Sequence, residues 1–153
     1  MLYKVSQPNP ILGLLVASTL LVVFMYYPLT AFGQSTPLAK STSGGSLKVQ
    51  IQPTPNTAKV NAPTKFKITF SKPQGSVQPH IDYDFLIDKN GKNLFSASSS
   101  TGQTGTPLHT AEGVVTIPYV FQTPGNYTLT VKVYGILFNP IRPESADFSI
   151  NAT

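Results

Sequence analysis

Two histidines, His80 and His109, are the only imidazoles in this 153-residue chain, and it contains no cysteine. Around them stand the carboxylates Asp82, Asp84 and Glu112. Imidazole nitrogens combined with one or two carboxylates suit a copper or zinc ion. His80 and Asp82 share the parity of an extended strand, about 7 Å apart along it, so both can reach one ion. The candidate ligand set is therefore His80, Asp82, His109 and Glu112. A plainer reading stands beside it. His80 follows Pro79 and braces a strand start, while His109, in Pro107-Leu108-His109-Thr110, holds its own loop closed through backbone hydrogen bonds. On that reading Asp82 and Asp84 form a solvated face or guard a sheet edge against pairing.

Other chemistries find less support. The absence of cysteine removes thiolate zinc sites, iron–sulfur clusters, blue copper, thiol nucleophiles and disulfide scaffolds. Serines are plentiful, but no Gly-x-Ser-x-Gly turn shapes one of them into a nucleophile. Gly102 and Gly105 have neither the lysine nor the following helix of a phosphate-cradling loop. The formal charge of +5 comes from scattered lysines without an interleaved aromatic platform, which argues against nucleic acid as a partner and for no more than a mild attraction to an anionic surface. The expectation is a protein that is not an enzyme.

The elements that must position these residues are strands. Leu47, Val49 and Ile51 alternate with polar residues, as do Phe66, Ile68 and Phe70, then Ile81, Tyr83, Phe85 and Ile87. Val115, Ile117, Tyr119 and Phe121 follow, then Tyr127, Leu129, Val131 and Val133, and last Phe148 and Ile150. Period-two patterning puts one face of each strand in a core and the other in water. Asn90-Gly91 between two such runs is a strong short hairpin signal, because both turn residues must take positive φ. Pro124-Gly125 suits a type II turn, and Tyr127 after it sits where immunoglobulin-like sandwiches place a corner tyrosine. Pro118 cannot donate to a ladder, which puts its strand at an edge or a bulge. The pattern predicts an all-β, immunoglobulin-like antiparallel β-sandwich over 47–153, a Greek key of about seven strands. The expected strands are A (47–53), B (65–71), C (80–88), C′ (92–97), E (113–121), F (126–135) and G (146–151).

That connectivity brings the B–C, C′–E and F–G connections to one pole, and with them His80, His109, Glu112, Arg142 and Glu144. Phe138-Asn139-Pro140-Ile141-Arg142-Pro143 reads there as a rigid F–G loop. Asn139, Ile141 and Arg142 are its candidate contacts with a cell-surface protein or envelope component, unless the prolines merely fix the turn.

The N-terminus is of another kind. Ile11 to Tyr27 is an uncharged apolar run, expected to be a hydrophobic helix, and Pro28 ends it. Residues 1–33 are a signal peptide cleaved after Gly33 or a retained transmembrane helix that anchors the chain in a membrane. Either way the remainder lies outside the cytoplasm. Residues 34–46 read as a flexible linker. Asn126-Tyr127-Thr128 and Asn151-Ala152-Thr153 are glycosylation sequons compatible with export.

Pro79-His80-Ile81-Asp82-Tyr83, Asp88-Lys89-Asn90-Gly91-Lys92, Pro107-Leu108-His109-Thr110-Ala111-Glu112-Gly113, Pro124-Gly125-Asn126-Tyr127 and Ala146-Asp147-Phe148 resemble a group of uncharacterised small exported β-sandwich proteins of ammonia-oxidising archaea. The resemblance covers about the last half of the chain. It implies an archaeal surface β-domain and no particular reaction. Two functions remain from the sequence: a secreted or anchored binding or structural module acting through loops at one pole, and a metal-binding protein built on the two histidines.

Overall fold

The computed structural model describes residues 36–102 and 105–153. The segment 1–33, expected to be a signal or anchor, lies outside the described residues. Nine strands and one helical turn follow in chain order: β1 (Leu38–Ser41), β2 (Lys48–Thr54), β3 (Pro63–Ser71), β4 (Ile81–Lys89), β5 (Lys92–Ser96), α1 (Ala97–Ser100), β6 (Leu108–Thr110), β7 (Val114–Val120), β8 (Gly125–Ile136) and β9 (Asn139–Ala152). They form two antiparallel sheets. One has the order β1-β2-β3-β7, the other β5-β4-β8-β9, and β6 joins the second alongside β4. This is the all-β sandwich with immunoglobulin-like strand order that the alternation predicts, with β2, β3, β4, β5, β7, β8 and β9 in the roles of A, B, C, C′, E, F and G.

The two inner faces supply the core. Val49, Ile51, Phe66, Ile68 and Phe70 from the first sheet meet Ile81, Phe85, Ile87, Leu129, Val131 and Val133 from the second, all without solvent exposure. Each such side chain contributes on the order of 1.5–3 kcal/mol by leaving water. Aromatic rings join the layers: Phe66 lies 5.5 Å from Phe85, and Phe121 lies 4.6 Å from Tyr127. Tyr127 donates its hydroxyl to the Thr123 carbonyl at 2.5 Å, the corner bond expected of it. Asn90 and Gly91 both take positive φ, 52° and 75°, and close the β4–β5 hairpin. Pro118 sits on β7, an edge strand of its sheet, where the missing N–H breaks no ladder.

Three expectations need correction. Residues 34–46 are not all linker: Leu38–Ser41 pair with Lys48–Ile51 as an extra edge strand. Backbone pairing, rather than apolar alternation, recruits this segment, and all four of its residues are exposed. The F–G loop is likewise absent. β8 and β9 run directly into one another through Leu137 and Phe138, with Ile136 opposite Asn139, so Asn139, Ile141 and Arg142 lie on a strand. Pro140 and Pro143 are tolerated there because β9 is the outer strand of its sheet. Ile141 packs half-buried against the core, and Asn139 Nδ2 is spent on the Leu137 carbonyl at 2.9 Å.

Asp84 departs from the alternation in a third way. It is buried, although its parity points away from the core. On the same edge β4 pairs with β6 over Ile81–Tyr83 and with β5 over Leu86–Lys89, which leaves Asp84 at the change of partner. Its carboxylate accepts from Phe85 N, Ser98 N, Ser96 Oγ and Ser98 Oγ at 2.8–3.0 Å. The charge thus takes up a free N–H of the α1 first turn and pins that turn into the gap.

Candidate metal centre

β4 starts at the pole where β3 ends, β6 returns there after the β4–β5 hairpin and α1, and β8 turns into β9 at the same end. Pairing of β4 with β6 sets Asp82 directly opposite His109, and pairing with β8 sets Asp82 opposite Gly135. The ladder slips between Asp82 and Tyr83 and again between Val133 and Gly135, leaving Tyr134 in a bulge beside the site. A Cβ at Gly135 would run into the Asp82 carboxylate, so glycine there lets that side chain keep its place against His109.

His80 precedes β4 in a left-handed conformation, φ 53°. Two neighbouring turns hold its backbone: its N–H donates to Ala111 O at 3.3 Å, and its carbonyl accepts from Leu137 N at 2.7 Å. The imidazoles converge. His80 Nδ1 stands 3.4 Å from His109 Nε2. His109 Nδ1 contacts Asp82 Oδ1 at 2.7 Å, with both side chains about a third exposed. In a neutral His109 that contact keeps the proton on Nδ1 and turns the Nε2 lone pair toward His80.

The separation is that of a long hydrogen bond between the two rings, and it also admits one shared ion. Two nitrogens about 2.05 Å from one tetrahedral ion lie about 3.3 Å apart, whereas adjacent ligands of a square-planar ion lie about 2.9 Å apart. The pair at 3.4 Å fits the first. Asp82 thus orients His109 through Nδ1 of that ring.

The four candidate ligands do not converge: of them, only the two imidazoles bring ring nitrogens to face each other. Among the described residues, no three His, Cys, Asp or Glu side chains gather where they could hold a metal ion. Asp82 is engaged by Nδ1 of His109, on the far side of that ring from His80. Glu112 is exposed in the turn between β6 and β7 and makes no hydrogen bond to either imidazole. Nor do Arg142 and Glu144 join the pair, because β9 has already left the turn. Glu144 accepts from Thr42 Oγ1, and from Ser46 Oγ and N at 2.6 and 3.2 Å. Burial alone would raise its pKa, but hydrogen bonds from Ser46, Thr42 and the backbone of Ser46 and Gly44 outweigh it and hold the carboxyl below its ordinary 4.5.

Sequence reasoning passes over one participant, Phe138. Its ring lies 4.3 Å from His80 and, nearly parallel, 5.4 Å from His109. Phe138 and Leu137 take φ of 64° and 52°, and they are 69% and 48% exposed. Bulky residues in the left-handed region cost on the order of 1–3 kcal/mol each. The Gly135 that precedes the turn was the available signal, since glycine within a strand pattern marks a bulge or a close approach.

No protein-family model matches the chain, and no curated protein does. Among solved structures it is similar to the PmoD soluble domain from Methylocystis sp. ATCC 49242 (Rockwell), at 12% identity over 74% of this chain and 97% of that one, with a TM-score of 0.48.

Proposed function

We propose that this chain is an extracytoplasmic, non-enzymatic β-sandwich binding module, and that its working pole holds a transition-metal ion between His80 Nδ1 and His109 Nε2. The observation that carries the reading is the 3.4 Å separation of those nitrogens, with Asp82 fixing the tautomer of one of them. Two protein ligands leave coordination positions for water or for a donor from a partner, so the site is open and exchangeable rather than a closed structural one. Of copper and zinc, the tetrahedral spacing favours zinc. The apolar run Ile11–Tyr27 and the two sequons support export, with the N-terminal segment removed or kept as a membrane anchor.

Zinc titration of the purified full-length chain by calorimetry tests this. One ion binds per chain, His80→Ala and His109→Ala abolish binding, and Glu112→Ala leaves it unchanged. Asp82→Asn weakens binding 10- to 100-fold, as loss of an outer-sphere carboxylate typically does. No binding by the parent chain, or equal binding by the histidine variants, contradicts the reading.

A further inference from the structure

Among the described residues, five non-glycine positions have positive φ: Asn61, His80, Asn90, Leu137 and Phe138. Two are asparagines, which tolerate that region at turns. The other three meet at a single point, where Leu137 N–H donates to the His80 carbonyl at 2.7 Å and the Phe138 ring covers the His80 imidazole; histidine, like asparagine, is enriched in that region, whereas Leu137 and Phe138 are unsuited to it. A two-residue hairpin turn with both φ positive selects Asn-Gly, as Asn90-Gly91 at the opposite pole illustrates. Leu137-Phe138 is the wrong pair for such a turn. Burial does not compensate, since Phe138 is 69% exposed.

A residue that is both strained and wet has its reason outside the core. What Phe138 does touch is the imidazole pair. The three rings form a triangle, with centroids 4.3 Å (Phe138–His80), 5.4 Å (Phe138–His109) and 5.6 Å (His80–His109) apart. His109 already has Asp82 to orient it. Beyond the long contact with His109, the His80 ring has no hydrogen-bond partner among the described side chains, and Phe138 is the aromatic surface packed closest to it.

We infer that Phe138 is a positioning residue: the strained β8–β9 turn holds its ring against His80 so that Nδ1 stays aimed at His109 Nε2. Resting on the metal reading above, it assigns to the hairpin turn the work that Asp82 does for the other ring. Phe138 ligates nothing. Its contribution is that His80 need not be ordered when the ion arrives, which raises affinity without adding a contact to the ion. The same logic sets stability against binding at this turn. Replacing Leu137-Phe138 by Asn-Gly relieves the backbone and removes the ring.

The experiment compares the parent chain with Phe138→Ala, Phe138→Tyr and the double variant Leu137→Asn with Phe138→Gly. Two readouts are taken: the NOE between the His80 and His109 ring protons without metal, and zinc affinity. The parent chain shows the cross-ring NOE. It is lost in Phe138→Ala and in the double variant and present in Phe138→Tyr. Zinc affinity falls at least tenfold in the first two and recovers in Phe138→Tyr, while the double variant melts at a higher temperature than the parent. A cross-ring NOE that persists in Phe138→Ala, or unchanged zinc affinity in that variant, overturns the inference. A parent chain that keeps the NOE, loses it in Phe138→Ala and yet binds no zinc overturns the metal reading while upholding Phe138 as the clamp on His80.

Discussion

Three side chains with different histories meet at one pole. His80 and His109 stand out in the sequence by type, because metal chemistry without thiolates has few other ligands to use. Asp82 also stands out, but as a ligand, and it proves to be the group that orients His109. Strand parity could place Asp82 near the histidines; it could not say which atom the carboxylate would meet, since that depends on the β4–β6 register. Gly135 and Phe138 carry no chemistry of their own and pass unnoticed until the backbone shows what they touch. Gly135→Ala is expected to push the Asp82 carboxylate off His109, and zinc affinity should drop as it does in Asp82→Asn. Asp84 makes a separate case at this scale. Asp84→Ala leaves the amide and hydroxyl donors of Ser96 and Ser98 without their acceptor, and we expect a loss of about 3 kcal/mol in denaturant unfolding.

At the level of elements, the strands were readable wherever one face is buried, and unreadable where pairing alone makes the strand. β2, β3, β4 and β8 announce themselves by alternation. β1 and β6 do not, β1 being exposed throughout and β6 only three residues long, and β9 hides its first half behind two prolines. Glu144 ties that half of β9 to the β1–β2 turn, joining the two sheets at their edges. Its carboxyl titrates below the ordinary 4.5, because the hydrogen bonds from Ser46, Thr42 and the turn backbone overcome the opposing effect of burial. The folded state therefore binds fewer protons here than the unfolded one. The stability this clasp contributes is fully present above about pH 4.5 and is lost as pH falls through the lower folded value. Glu144→Gln should flatten the acid limb of a stability–pH curve and cost about 1 kcal/mol at pH 7, with little change in acid. A parallel offset at every pH would show that the carboxylate charge is not what holds the turn.

Across the whole molecule, antiparallel connectivity sorts the chain into two poles. His80, His109 and the Leu137-Phe138 turn occupy one. Asn126 and Asn151 occupy the other end of the same sheet, as register partners whose side chains share a 2.8 Å hydrogen bond. That sorting could be foreseen, because the Asn90-Gly91 hairpin fixes how many times the chain crosses the sandwich between His80 and His109. The core that holds the poles apart is continuous across both sheets, so Phe66→Ala should cost about 3–5 kcal/mol. Sugars on either asparagine are expected to leave metal binding unchanged, and mass spectrometry of the native protein reports both their presence and any cleavage after Gly33.

The central claim is that one ion sits between two imidazoles, and zinc X-ray absorption on the loaded full-length chain tests it most directly. The account predicts scattering from two imidazole nitrogens at about 2.0–2.1 Å in the parent chain, and no zinc retained by His80→Ala. A zinc shell of oxygens alone, or an imidazole signal unchanged in that variant, would contradict it.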